Sequence, residues 1–279
     1  MNIDFSRANA FRDPGPAYYY ECYERDGTGL ETLPKDAGDV APIEFGGRMH
    51  ELLQEHYSNS QIYPASQNEA LELEAGIMMQ AYQRHYPVEP FEVIDVERTF
   101  KVPLNERHYL VGKIDLLVKY PERECMDIID HKTEKRGGKG NSVQAWAARD
   151  QASIYLYAAR KVYPDVAIGN FIVNILTRQS DKGQQGPSFP ERQKLERSPE
   201  QIEIAIRDII YIADQIEFMR QEYGDRVIWP CNREQCSGWS QCPYYLPHLW
   251  GWSDEMKRTK FKPREEYLDL ENIKPLAGS

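Results

Sequence analysis

Two aspartates lie within apolar stretches of this sequence, and they limit its possible folds more than any other feature. Asp115 stands between Ile114 and Leu116, and Asp130 directly follows Ile129. A carboxylate inside a half-buried strand is unfavourable unless it is paired or binds a cation. Two strands joined by one turn would bring these oxygens together, and oxygen ligands favour a hard cation such as Mg²⁺ or Mn²⁺. The sequence therefore predicts a divalent-cation site on a sheet.

A lysine follows the second aspartate at a spacing that places both side chains on one face of a strand. Lys132 lies two residues after Asp130, and side chains along a strand alternate between its faces. An ammonium group beside a bound cation and a phosphate can orient a water molecule and stabilise developing negative charge. A solvent-exposed Asp–Lys pair on an edge hairpin is the alternative interpretation of so short a motif.

The spacing of apolar residues predicts a mixed α/β domain with a central sheet. Helices are expected over 44–57 and 66–85, the second starting with a capping box formed by Ser66 and Glu69. The first 40 residues, rich in Gly, Pro and Asp, are predicted to be mostly loop. The remaining predicted elements are three strands within 91–132, a helix over 142–162, a strand over 167–177, a loop over 178–197 and a helix that begins after Ser198 and ends before Gly224.

The length and the ends of the chain suggest one domain outside the membrane. A chain of 279 residues suits a single domain over 1–279, with a core at about 40–223, a Cys-rich segment at 229–252 and a charged tail at 253–279. No apolar run approaches the length of a membrane span. The first five residues, MNIDF, have neither the basic start nor the apolar core of a secretory signal. We expect a cytoplasmic protein without a membrane partner.

Five short motifs occur in an order that resembles the PD-(D/E)XK nuclease superfamily, in particular its RecB-like branch of CRISPR-associated and phage-encoded exonucleases. The two central motifs are Gly112-x-x-Asp115 and Asp130-His131-Lys132-Thr133. The others are His50 at the end of FGGRMH, Glu97 within VERTF, and Gln151-x-x-x-Tyr155. Each motif is weak alone, but five in order over about 40–180 are specific.

This resemblance implies a restriction-endonuclease-like α/β fold in which helices flank a mixed central sheet. It also implies that one or two divalent ions are held by His50, Asp115 and Asp130, together with the backbone carbonyl of His131. Lys132 would position the attacking water. Two donors four residues apart on one helix, Gln151 and Tyr155, would hold the substrate phosphate, and their alternative interpretation is a buried pair packed on the sheet.

The function implied by the resemblance is that of a divalent-metal-dependent deoxyribonuclease. It would act as an exonuclease or end-processing enzyme in DNA recombination, replication, repair or CRISPR-type adaptation, in a bacterial or phage-infected cell. Its partners would be DNA and a helicase, recombinase or adaptation protein. Two alternatives are a non-catalytic DNA-binding or scaffold module that keeps the nuclease fold, and a metal-dependent hydrolase of another phosphodiester.

Two basic patches stand out against an acidic composition. With 34 basic and 44 acidic side chains the net charge is −10, so attraction to phosphate must be local. Residues 131–139 carry four cationic side chains beside the predicted site. Residues 257–264 carry five, with Phe261 expected to stack on bases of a single strand. A solvated tail is the alternative interpretation of the second patch.

Four cysteines resemble the ligand set with which many RecB-like nucleases bind a 4Fe–4S cluster that staples the chain's end to its start. They are Cys22, Cys231, Cys236 and Cys242. Two departures are a Gly at position 15, where the family usually has its early cysteine, and a wider spacing between the second and third cysteines. The alternatives are zinc bound by Cys231, Cys236, Cys242 and His248, and buried free thiols without metal.

Overall fold

A computed structural model describes residues 1–13, 15–33, 42–135, 143–179, 185–224, 229–230 and 242–264. The helices and strands, numbered in chain order, are β1 (Asn2–Ile3), α1 (Phe5–Arg12), α2 (Pro16–Tyr23), β2 (Leu30–Thr32), α3 (Pro42–Ser58), α4 (Glu69–His85), β3 (Glu92–Pro103), β4 (Tyr109–Lys119), β5 (Met126–Glu134), α5 (Val143–Ala147), α6 (Gln151–Val162), β6 (Ile168–Thr177), β7 (Gln193–Leu195), α7 (Pro199–Tyr223), α8 (Tyr245–Trp250), α9 (Asp254–Lys260) and β8 (Phe261–Pro263). Among the helices in these ranges, none is both long enough and apolar enough to cross a membrane.

The chain divides into two compact units. The terminal unit comprises Met1–Lys35, Lys101–Gly112 and Ile204–Ser279, and the central unit comprises Asp36–Phe100 and Lys113–Glu203. Strands β3 and β4 and helix α7 contribute residues to both units. The expectation of a single nuclease-like domain over 1–279 stays a prediction.

The central unit is built on a mixed sheet. Strand β4 pairs with β3 and runs antiparallel to β5, with Leu116 opposite Ile129. Strand β5 runs parallel to β6, with Asp130 opposite Val173, and β6 runs antiparallel to β7. The strands β4, β5 and β6 are buried along most of their length because helices cover the sheet. The predicted mixed central sheet flanked by helices is confirmed.

Helices α3 and α4 pack together on one face of this sheet. Their buried side chains form one cluster with Leu176 of β6, and the members from α3 follow helical spacing: Phe45, Met49 and Leu53. Helix α4 begins later than expected, because the side chain of Asn68, not that of Ser66, caps it by accepting a hydrogen bond from Leu71 N (3.2 Å). The predicted capping box is therefore wrong.

Two other sequence-based expectations for the central unit need correction. The single helix expected over 142–162 is two helices, α5 and α6, separated by a turn at 148–150. The expected loop at 178–197 contains the short strand β7, which pairs with β6 over Val173 and Gln193.

The terminal unit contains helices where the sequence suggested loop. Asp4 caps α1 by accepting a hydrogen bond from Arg7 N (2.8 Å), and Pro16 occupies the first turn of α2. An aspartate and a proline of the composition that suggested loop therefore mark helix starts. Strand β1 pairs in parallel with the beginning of β4, and β2 pairs antiparallel with β8.

Candidate metal centre

Three potential metal ligands from three elements meet in the central unit. His50 Nδ1 on α3 lies 3.5 Å from Glu97 Oε1 on β3 and 3.5 Å from Asp115 Oδ2 on β4. One ligand atom from each residue lies within 4.8 Å of the others. The side chains of Glu97 and Asp115 are buried, and that of His50 is 22% exposed. One imidazole and two carboxylates form a donor set that fits a divalent cation.

His50 reaches this position because of its place on α3. The preceding residue, Met49, is fully buried against α4, so His50 lies at the edge of the buried helix face. Burial of the ring would lower the pKa of His50, but the negative charges of Asp115 and Glu97 outweigh it and the pKa is raised. The imidazole is thus held by the same carboxylates with which it would share a cation.

Glu97 adopts a backbone conformation that is rare for its residue type. Its φ is +51°, in the left-handed region, although it lies inside strand β3. Such a residue costs about 1–3 kcal/mol and persists where its surroundings impose it. Its carboxylate forms an ion pair with Lys113 of β4. Sequence analysis singled out Glu97 as a motif residue but did not assign it as a ligand.

Asp115 also links β4 to β5. The pairing of these strands runs from Lys119 and Met126 to Leu116 and Ile129. Just beyond it, Asp115 Oδ2 accepts a hydrogen bond from the backbone N–H of His131 (2.8 Å). The carboxylate therefore fixes the β5 backbone whose His131 carbonyl is the predicted ligand.

Asp130 is held by two side chains and is not among the three converging donors. Its Oδ2 lies 2.7 Å from Lys132 Nζ, and its Oδ1 accepts a hydrogen bond from Gln151 Nε2 (3.2 Å). Burial raises the pKa of Asp130, the Lys132 ammonium opposes this, and the charge of Asp115 adds to it. Asp130 and Lys132 are in contact, as expected for two side chains on one face of β5. The structure brings Glu97 together with His50 and Asp115, and the role of Asp130 as a metal ligand stays a prediction.

The two predicted helix donors differ in their surroundings. Gln151, at the start of α6, is buried and reaches Asp130. Tyr155 packs edge-on against Phe100 and Phe171, with ring centroids 5.9 and 6.1 Å away. Contact of either residue with a substrate phosphate stays a prediction.

A buried polar network lies on the sheet face covered by α3 and α4. The His131 ring stacks on Tyr57, with centroids 5.8 Å apart, and its Nδ1 lies 2.9 Å from Asn174 Nδ2. Because the amide nitrogen is a donor, Nδ1 accepts and the ring proton belongs on Nε2. Burial places the pKa of His131 well below its ordinary value, so the ring is neutral.

The network continues through hydroxyl groups to a buried ion pair. Tyr82 Oη accepts a hydrogen bond from Asn174 (3.0 Å) and lies 2.6 Å from Tyr57 Oη. Glu89 accepts from Tyr57 (2.6 Å) and binds both terminal nitrogens of Arg192 (2.6 and 2.7 Å). The β5 backbone at the candidate metal centre is therefore supported from behind by a connected set of polar groups.

Two of the four predicted cluster cysteines lie together in the terminal unit. Cys22 and Cys242 are both buried in one cluster with Leu30, Tyr244 and Phe261, and Cys22 Sγ lies 3.4 Å from Tyr244 Oη. Burial raises the pKa of Cys22. Cys231 and Cys236 lie outside the described residues. The iron–sulfur ligand set therefore stays a prediction.

The alternative zinc ligand and the C-terminal basic patch belong to the same unit. His248 Nε2 lies 3.0 Å from Glu21 Oε1, and its Nδ1 is buried without a hydrogen-bond partner in the described structure. Phe261 is only 5% exposed and stacks on Tyr244, so the prediction that it stacks on bases is wrong. Lys257 and Lys262 form ion pairs with Asp26 and Glu31. Residues 136–139 of the patch at 131–139 lie outside the described residues.

Comparison with known proteins finds a family model and several solved structures that match most of the chain. Residues 4–243 match the family model of the PD-(D/E)XK nuclease superfamily. Among solved structures, the chain is similar to SSO0001, with 14% identity, a TM-score of 0.32 and coverage of 68% of this chain and 80% of that one. It is also similar to the alkaline exonuclease LHK-Exo from Laribacter hongkongensis, with 12% identity, a TM-score of 0.35 and coverage of 79% and 92%. Curated proteins provide no match.

Proposed function

The chain belongs to the PD-(D/E)XK nuclease superfamily, and from this premise we propose that it is a divalent-metal-dependent deoxyribonuclease that hydrolyses phosphodiester bonds. The observation that carries the proposal is the convergence of His50, Glu97 and Asp115 within 4.8 Å, near the ion pair between the buried Asp130 and the half-buried Lys132. Its RecB-like motifs favour an exonuclease or end-processing role in recombination, replication, repair or CRISPR-type adaptation.

The proposed ligands of the cation are His50, Asp115, Asp130 and the backbone carbonyl of His131, and Glu97 is added to them because it converges with His50 and Asp115. When bound, Mg²⁺ or Mn²⁺ would polarise the phosphodiester and stabilise the negative charge that develops on its oxygens. Lys113 would orient the Glu97 carboxylate through their ion pair. The hydrogen bond from His131 N–H orients Asp115.

Lys132 is the proposed catalytic lysine. Asp130 holds its ammonium group at 2.7 Å, and Gln151 fixes the other oxygen of the same carboxylate. Three residues are thus preorganised before substrate binds, which reduces the reorganisation needed in the transition state. We propose that the ammonium group donates hydrogen bonds to the attacking water and to a phosphate oxygen.

A cleavage assay with a matched control tests this function. Wild-type protein should degrade single- or double-stranded DNA with Mg²⁺ or Mn²⁺ and stop when EDTA is added. Lys132→Met should lose at least about a hundredfold in kcat while keeping most of its DNA affinity, because the lost group stabilises the transition state.

The control is Lys161→Met, which removes an exposed lysine from the far end of α6. It should cleave at the wild-type rate. A Lys132→Met protein that also cleaves at the wild-type rate would exclude the assigned site, and a wild-type protein that binds DNA without cleaving it would favour the non-catalytic module.

A further inference from the structure

An exposed arginine is held in a fixed orientation beside the catalytic lysine. The guanidinium carbon of Arg149 lies 3.8 Å from the ring centroid of Trp146, and Lys132 Nζ lies 5.6 Å from the same centroid. Trp146 is 8% exposed, whereas Arg149 is exposed. Two cationic groups therefore lie against one indole ring at the candidate active site.

The turn that carries this arginine is fixed by several hydrogen bonds. Arg149 N donates to Trp146 O (3.2 Å), and Trp146 Nε1 donates to Glu134 Oε1 on β5 (3.2 Å). Arg197 donates to the backbone carbonyls of Ala147 (2.7 Å) and Arg149 (3.3 Å). The backbone at Arg149 is thus held by hydrogen bonds in the turn between α5 and α6.

The charge of Arg149 is not neutralised by the part of the chain that the structure describes. No carboxylate within the described ranges forms an ion pair with it, whereas Lys132, Lys113 and Arg192 each have one. A stacked guanidinium keeps its hydrogen-bond donors in one plane, an arrangement that suits the two oxygens of a phosphate. An exposed, oriented and unneutralised guanidinium beside a phosphodiester-cleaving site has the chemistry of a phosphate ligand.

We propose that Arg149 binds a backbone phosphate of the DNA substrate adjacent to the scissile phosphate, and that Trp146 is the positioning residue that holds it there. The inference rests on the proposed nuclease function and adds a contact to it. The contact between Arg149 and this phosphate would set the register of the DNA strand relative to Lys132. Because this contact forms equally in the bound ground state and in the transition state, it acts on binding and leaves the chemical step largely unchanged.

The test measures DNA affinity against salt concentration together with KM and kcat. Arg149→Ala should raise KM and the dissociation constant about tenfold, the loss expected for a charge-assisted hydrogen bond. The slope of log K against log salt should become shallower by about 0.7–0.9, which corresponds to one phosphate contact. The kcat should stay within about twofold of the wild-type value.

Three comparison variants separate this role from a general effect of charge or packing. Arg160→Ala removes an exposed arginine from the other end of α6 and should keep the wild-type KM and salt slope. Arg149→Lys keeps the charge without the planar guanidinium, so its KM and dissociation constant should lie between those of wild type and Arg149→Ala. Trp146→Phe should bind DNA with nearly wild-type affinity. Trp146→Leu, verified as folded by circular dichroism, should have a KM and a dissociation constant close to those of Arg149→Ala.

The outcomes distinguish a failure of the proposed Arg149–phosphate contact from a failure of the proposed nuclease function. If wild-type protein cleaves DNA and Arg149→Ala matches Arg160→Ala in KM and salt slope, the phosphate contact is wrong and the nuclease stands. If Arg149→Ala lowers kcat without changing KM, the residue does not act as a binding anchor. A wild-type protein that neither binds nor cleaves DNA overturns both proposals.

Discussion

At the scale of single residues, the kind of chemistry at the site could be predicted from the sequence better than the set of residues that form it. A carboxylate flanked by apolar strand residues signals a bound cation, which pointed to Asp115, and strand alternation paired Asp130 with Lys132. No comparable argument from the sequence identified Glu97 as a metal ligand. Its left-handed φ is a local departure from the extended backbone, and alternation along β3 gives no indication of it.

Glu97 should be needed for metal affinity. Glu97→Gln keeps the shape of the side chain but removes the charge that faces His50 and Lys113, so the Mn²⁺ concentration for half-maximal cleavage should rise at least about tenfold. Titration of Mn²⁺ in a DNA cleavage assay measures this. Glu92→Gln, an exposed glutamate on the same strand, should leave the Mn²⁺ requirement unchanged. Equal Mn²⁺ requirements for the two variants would remove Glu97 from the ligand set.

At the scale of elements, periodicity predicts long helices well and their ends poorly. The spacing of Phe45, Met49 and Leu53 predicted α3 almost to its bounds, because one helix face must be buried. Helices α1 and α2 were missed because each has only eight residues, and Asp4 and Pro16 act as start signals there. The turn between α5 and α6 was missed because the apolar residues of the two helices follow one continuous helical pattern.

The polar network behind β5 should contribute strongly to stability. Arg192→Met leaves Glu89 mostly buried without its partner, which should lower the free energy of unfolding by about 3 kcal/mol. Urea denaturation measures this change. Lys194→Met, which removes an exposed cation two residues further along the chain, in strand β7, is the matched control and should change stability by less than about 0.5 kcal/mol.

A double substitution distinguishes pairing from packing in this network. Because Glu89→Gln removes the stranded charge, adding it to Arg192→Met should restore part of the lost stability. Additive losses in the double variant would show that Arg192 acts through its stacking on Tyr86, 3.9 Å from the ring centroid, and not through Glu89.

At the scale of the whole molecule, the net charge of −10 requires that DNA be attracted locally. The sequence suggested two basic patches of similar weight, but composition cannot show which cations are already paired. In the structure Lys257 and Lys262 have acidic partners, whereas Arg149, outside both patches, has none among the described residues. Local charge balance depends on tertiary contacts, so it became visible only with the fold.

The cysteines connect distant parts of the sequence within the terminal unit. Cys22 lies in α2, near the start of the chain, and Cys242 lies shortly before α8. Both thiols are buried in one cluster. We expect them to bind a 4Fe–4S cluster together with Cys231 and Cys236, because four thiolates are its usual ligands. Protein purified without oxygen should then be brown and contain about four iron atoms per chain.

Substitution of one cysteine tests this ligand set without relying on cleavage. Cys22→Ser should lose the visible absorption and melt several degrees lower, because the link between the two ends of the chain is lost. Cys125→Ser, a free cysteine of the central unit, should keep the spectrum and melting temperature of the wild type. Colourless protein with one zinc ion retained in Cys22→Ser would instead support zinc on Cys231, Cys236, Cys242 and His248. Metal-free wild-type protein would leave the thiols as part of the apolar core, in which case Cys22→Ser should destabilise only through the buried hydroxyl.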